Sequence, residues 1–204
     1  MGVTWVGNAV SDITQNDSII ANVTWNSIAV YAKSPYVFPN ASKKMTGNIS
    51  YGGISVNCRS YSSGHEAFKA LDNNTVTFYA GSTSTNNKNQ SEHILITFPF
   101  KINLLSVKIT NGNSSGYTYS GSHGMTAGNI YVGYGDVNTL FASFSGRSAS
   151  DGYASTHQNS DISGVPITMI KITGTAWGNV EWHSIGEITL TFYAKTSDLS
   201  NYGL

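Results

Sequence analysis

Beyond residue 45, apolar and polar positions alternate along most of the chain. Ile54 and Val56 are flanked by polar residues, and so are Ile94, Ile96 and Phe98. The same pattern returns at Val107 and Ile109, at Ile130 and Val132, at Ile170 and Ile172, and at Ile188, Leu190 and Phe192. A period of two is that of a strand with one face buried and one face wet. No long helical periodicity competes with it after residue 35. The pattern predicts an all-β jelly-roll sandwich. Four intervening stretches are long: 81–91, 111–128, 145–165 and 174–183. They predict loops, and several carry aromatic or imidazole side chains, among them Tyr117, Tyr119, His123, Trp177 and Trp182. Long loops bearing aromatics are recognition surfaces more often than solvated spacers.

Residues 1–34 differ. Val6, Ala9, Ile13, Asn16, Ile20, Val23, Ser27 and Val30 fall at alternating spacings of three and four, which is a heptad seam. β-Branched residues at both seam positions favour three strands, so the seam predicts a helical coiled-coil stalk over 1–34 and a homotrimer. A strand or linker is the competing reading, because Thr, Asn and Val are poor helix formers. Ser34-Pro35 ends any helix, since the residue before Pro is pushed out of the α region. A linker is expected over 35–44 and the sandwich over 45–204.

Composition narrows the function. Charged residues are 11% of the chain and the formal net charge is zero, so the surface is built from Ser, Thr, Asn and Gly. No basic run points to nucleic acid. No apolar run is long enough to insert in a bilayer, and no secretory leader pattern opens the sequence. Cys58 is the single cysteine, which excludes an internal disulfide and favours folding in a reducing cytosol.

Catalytic motifs are sparse. His65-Glu66 opens a zinc-protease pattern but lacks the second His. Gly133-Tyr134-Gly135 does not complete a dinucleotide fingerprint. Phosphate-loop and nucleophile-elbow spacings are missing, and no carboxylate pair reads as a glycosidase acid and base. The chain reads as non-enzymatic. Sugar recognition needs an apolar ring face and planar groups that bond hydroxyls in pairs. Trp177 and Trp182 offer the first, and Arg59, Arg147, His65, His123 and His183 the second. Each has a plainer alternative: Trp182 as a core cap, His65 as a turn partner, Arg147 as a solvated loop residue.

One stretch carries a family resemblance. His65 to Tyr79 reads HEAFKALDNNTVTFY, an apolar run closing on the Asp72-Asn73-Asn74 turn, with Thr77 and Tyr79 beyond. The spacing resembles the signature of discoidin-like domains, also called F5/8 type C or family 32 carbohydrate-binding modules. That signature usually has Gly where Asn73 stands and Trp where Tyr79 stands. ISVNCRSYSSGHEAFKALD resembles the family's lead-in, HILITFPFKINLLSVKIT its paired strands joined at a proline turn, and SIGEITLTFY its closing strand.

The resemblance implies a galactose-binding-like jelly roll and a structural cation, Ca²⁺. Asp72 and Glu187 would supply side-chain oxygens, and Ala70, Asn74 and Thr77 backbone or hydroxyl oxygens. It also implies a recognition face at one loop end, gathering Arg59, His65, Arg147, Trp177 and His183. The expectation formed from all this is a receptor-binding module of a phage tail or other virion protein. It would fold in the bacterial cytoplasm, assemble with other virion proteins and attach to cell-surface glycan. The alternatives are a carbohydrate-binding module of a bacterial extracellular glycosidase and a structural virion decoration protein that does not bind sugar.

Overall fold

The computed structural model describes residues 14–15, 18–19, 34–47, 50–82, 93–112, 123–162, 164–178 and 182–204. In chain order the strands are β1 (Thr14–Gln15), β2 (Ser18–Ile19), β3 (Tyr36–Phe38), β4 (Ser50–Tyr51), β5 (Ile54–Cys58), β6 (Tyr79–Ser82) and β7 (His93–Thr110). They continue with β8 (Met125–Gly133), β9 (Thr139–Phe144), β10 (Ala154–Gln158), β11 (Pro166–Trp177), β12 (Trp182–Ile185) and β13 (Glu187–Ala194). A 3-10 helix covers Ala67–Leu71, and α1 covers Thr196–Asn201. None of the described helices is long and apolar enough to cross a membrane.

Among the described residues the ladders between named strands are antiparallel, and β7 organises most of them. Its first half pairs with β5 and β11, and β11 passes the sheet on to β8 and β9. Its second half pairs with β13 and β10, and β13 adds β3 at its far side. One strand thus belongs to both layers of the sandwich. The sequence reading broke this stretch into two strands at a proline turn. Instead the strand runs through, and exposed Pro99 lies where pairing with β11 skips from Thr97 to Ile102. Proline lacks an N–H to give a ladder, so such a gap is where a strand tolerates it.

The alternation of period two places the core. Ile94, Ile96, Ile170, Ile172 and Ile130 of one layer are fully buried, as are Val107, Ile109, Ile188, Leu190 and Phe192 of the other. At about 25 cal/mol per Å² of apolar surface, this interlayer contact is the main force holding the sandwich closed.

Three stretches expected as linker or loop carry strand. β3 lies within 35–44, the stretch expected as a linker, and it pairs with β13 through Val37 opposite Thr191, so the sandwich begins at Tyr36. The stretch 145–165, expected as loop, contains β10, and β11 runs through Gly174 to Trp177. In the N-terminal region, Thr14 pairs opposite Ile19 and Gln15 opposite Ser18, as extended backbone. The remainder of the predicted stalk lies outside the described residues.

Candidate functional site

The Asp72 turn is built by its own side chains. The 3-10 helix buries Ala67, Ala70 and Leu71 and ends at Asp72. Asn73 then takes φ +54°, the one left-handed residue other than glycine among those described. Asn tolerates that region where most side chains do not. Asp72 Oδ1 accepts the Asn74 N–H at 3.0 Å, Asp72 Oδ2 accepts the Thr77 hydroxyl at 2.6 Å, and Asn74 Oδ1 accepts the Val76 N–H at 3.1 Å. The Asn74 carbonyl lies 3.0 Å from Thr77 Oγ1. That hydroxyl has one proton, and the shorter contact to the carboxylate takes it.

Glu187, the first residue of β13, reaches this turn from the other side. Its Oε2 accepts the same Asn74 N–H at 3.0 Å. The residue is 5% exposed, and among the described residues its Oε1 has no hydrogen-bond partner. Burial, and then the charge of Asp72, push the Glu187 carboxyl up to about 8, opposed by the backbone N–H of Asn74. Burial also raises Asp72, opposed by Thr77, Asn74 and the more distant Lys69 and Lys44. Two carboxylates, a hydroxyl and a carbonyl therefore converge, with one buried carboxylate oxygen left over. Hard cations take such sets of oxygens. Asp72, Asn74, Thr77 and Glu187 are brought together, with Ala70 in the helical turn that leads into them.

The residues expected to hold sugar separate into two groups. Arg147, Trp177 and His183 are buried, at 6%, 3% and 0% exposure. The Trp177 indole stacks on the His183 ring at 4.4 Å and 5°, so that face of each ring is occupied. A Cβ on Gly174 would stand 2.1 Å from the same indole, so this glycine, at the start of the expected 174–183 loop, leaves the space into which Trp177 packs. Arg147 donates from Nε to Ser155 Oγ at 2.7 Å, from one terminal nitrogen to Met125 O at 2.7 Å, and from the other to Ile109 O at 2.9 Å. Its guanidinium lies 5.4 Å from the ring centres of both Phe144 and Tyr153. This arginine ties β7, β8 and β10 together. These three placements correct the sequence expectation: aromatic and basic residues between glycines fill the seam of the sandwich here, and a sugar could not reach them without opening it.

Arg59 and His65 lie on the connection between β5 and the 3-10 helix, which folds back on β6. Arg59 is exposed and His65 is half-buried. Ser62 N donates to Ala80 O, and Ala80 N donates to His65 O. His65 Nδ1 donates to Phe78 O at 3.2 Å and its ring stacks on Phe78 at 4.4 Å, so His65 serves the turn as well as bordering solvent. Between them Tyr61 is 53% exposed. The sequence reading passed over Tyr61. An aromatic between a strand and a Ser-Ser-Gly turn was the available signal. Tyr79, which stands at the signature's Trp position, is fully buried and donates its hydroxyl to Ser60 O at 2.9 Å, which braces the base of this connection. For Trp182 only the backbone is described, in register with Ser82.

No family model matches the sequence, and no curated protein matches it. Solved structures do match the fold. The two family 32 modules of Clostridium perfringens ZmpB, solved with GalNAc, align with a TM-score of 0.55 at 19% identity, over 76% of this chain and 38% of that one. The family 32 module of C. perfringens NanJ, solved with galactose, aligns at 0.54 and 18%, over 68% of this chain and 93% of that one. A chitosan-binding module from a Paenibacillus sp. IK-5 chitosanase/glucanase aligns at 0.52 and 15%, over 71% and 98%. The sandwich thus has the discoidin-like jelly-roll fold of family 32 carbohydrate-binding modules.

Proposed function

We propose that this chain is a non-catalytic glycan-binding module, with its sugar site at the end of the sandwich where the 59–65 connection meets β6 and β12. The observation that supports it most is the placement of Tyr61 and Arg59. They are an exposed ring and an exposed guanidinium two residues apart on a connection anchored from beneath by Tyr79 and His65. A tyrosine gives a rigid stacking surface at little entropic cost, and a guanidinium bonds neighbouring hydroxyls with one planar fork. Structural neighbours were solved in complex with galactose or GalNAc, and another is a chitosan-binding module, which accords with this reading. A glycan array of the whole chain beside its Tyr61→Ala and Arg59→Ala variants tests it. We expect a defined set of glycans for the parent and a loss of about 1–3 kcal/mol for each variant with the fold retained. A folded parent that binds no glycan would overturn the proposal.

Two carriers suit such a module. A bacterial glycosidase stands nearer to the neighbours, one of which derives from a chitosanase/glucanase. A virion attachment protein draws on the N-terminal heptads and the low charge. The first predicts a monomer and the second a trimer, so light scattering on the full chain separates them.

The Asp72–Glu187 cluster is proposed to hold Ca²⁺, with side-chain oxygens of Asp72 and Glu187 and further oxygens from Ala70, Asn74 and Thr77. The unpartnered Glu187 Oε1 favours it, since a buried carboxylate oxygen without a partner is costly and a cation relieves that cost. The ion would tie the turn to the start of β13. Elemental analysis and melting with and without chelator test it, and no metal together with an unchanged melting temperature would refute it.

A further inference from the structure

One side of the sandwich is closed by side chains alone. β9 pairs with β8 and β10 with β7, and among the described residues no ladder joins β9 to β10. Ser155 and His157 stand opposite Ile109 and Val107, which are fully buried, so both point inward from β10. The Phe144 ring of β9 meets the His157 ring at 4.5 Å, and the Arg147 guanidinium lies between the rings of Phe144 and Tyr153. Past the end of β10, Asn159 Nδ2 donates to Phe141 O at 2.8 Å. Stacked rings, a guanidinium and a few polar bonds thus take the place of a backbone ladder.

A directed chain of hydrogen bonds runs through this closure. Arg147 Nε donates to Ser155 Oγ at 2.7 Å, and Ser155 Oγ lies 2.8 Å from His157 Nε2. The guanidinium is always charged and always donates. An oxygen that accepts from a cation is polarised into a better donor. The serine hydroxyl therefore gives its proton to Nε2, and the imidazole is neutral with its own proton on Nδ1. An imidazolium would aim a second donor at the same oxygen, beside the guanidinium. The imidazole faces Val107 from β7, Phe144 from β9 and Arg147 from the 145–153 connection, with Tyr153 beyond the guanidinium. Arg147 is the charged group in that set, since Lys108, opposite Thr156, lies on the other face of the strand. Burial, and then Arg147, hold the His157 imidazole below its ordinary value of 6.5.

We propose that the Arg147–Ser155–His157 chain is an acid-sensitive latch on the β9–β10 side of the sandwich, closed while the imidazole is neutral and released when it takes a proton. Release leaves β10 with its ladder to β7 and without its side-chain hold on β9 and the 145–153 connection. Arg147 keeps its bonds to Met125 O and Ile109 O, so the opening is local. A released imidazole titrates near 6.5 and a latched one lower. The latch is therefore at full strength above 6.5 and weakens as pH falls through that value. Glu187 acts with the opposite sign, so melting of the whole chain mixes the two effects and a local readout is needed.

Amide hydrogen exchange of the full chain, corrected for the intrinsic pH dependence of exchange and followed from pH 7.5 to pH 5, provides the test. Protection at 154–158 should fall by a factor of about three to ten between pH 6.5 and pH 5 relative to Ile170 and Ile172 in β11. His157→Gln, which cannot take the charge, should abolish that fall. His93→Gln removes another half-buried imidazole, at the start of β7 in the other layer, and should leave the fall as in the parent. In the parent, NMR of the imidazole nitrogens should show the neutral His157 ring protonated on Nδ1, with a titration midpoint below 6.5. Protection of β10 that does not change with pH would overturn the proposal, as would an undiminished fall in His157→Gln. A His157 ring protonated on Nε2 when neutral, or titrating at or above 6.5 in the folded parent, would overturn it without recourse to any variant.

Discussion

Glu187 carries a conflict that a single residue can report. Its carboxyl titrates near 8 in the metal-free fold against an ordinary value of 4.5. Between those values the folded chain holds a proton that the unfolded chain has released. Stability from this group is complete below about pH 4.5 and is lost as pH rises through 8. The upward shift of Asp72 acts with the same sign. Chelated protein should therefore melt at a lower temperature at pH 8 than at pH 5, and Glu187→Gln should flatten that difference. Saturating Ca²⁺ should raise the melting temperature of the parent most at the higher pH, where the proton no longer neutralises the pair. Scanning calorimetry across pH measures both, and a parent whose slope matches that of Glu187→Gln would contradict the account. Trp177 makes the second prediction at this scale. Because it is a core residue stacked on His183, Trp177→Ala should cost about 3–5 kcal/mol of stability by chemical denaturation. A binding-only role would leave stability unchanged.

At the scale of elements, β11 sets the seam between the layers. Gly174 lies within it, against the Trp177 ring. Gly174→Ala should destabilise by about 1–3 kcal/mol through overpacking, and the Gly135→Ala change at the β8–β9 turn offers a contrast, since a Cβ there meets nothing within 4 Å but would sit at φ +81°. The strands themselves were legible from the sequence, because a half-buried strand writes its period of two directly into residue type. The Asp72 turn was legible for a similar reason: Asp, Asn and Thr at close spacing bond their own backbone, and Asn73 takes the left-handed place that its type permits. The buried polar seam was not. Arg147 and His183 look identical in sequence whether they face solvent or close a sandwich. What decides is the set of carbonyls at Met125 and Ile109, brought together by strands far apart in the chain. Pro99 misled for a related reason, since a proline marks a missing donor and only the register reveals that none is needed there. Tyr61 went unread because one exposed ring in a serine-rich stretch has no periodicity to mark it.

At the scale of the molecule, the sandwich presents the 59–65 connection at one end, above a core that the proposed binding leaves untouched. Arg147, Asn111 and the Trp177–His183 stack hold the connections in place. Asn111 Nδ2 donates to Ser148 O at 2.9 Å and Ser150 O at 3.1 Å, fixing the approach to β10. With the frame so fixed, binding a small sugar should shift few backbone positions. The most direct test of the account is an amide-resolved NMR titration of the full chain with galactose, GalNAc and the best glycan from the array. The account predicts shifts concentrated at 59–65 and the adjoining strands β6 and β12, with the inner residues of β7 and β13 unmoved. A folded chain that shows no shifts with any of them, or shifts confined to the opposite end around Tyr134 and Tyr202, would contradict it.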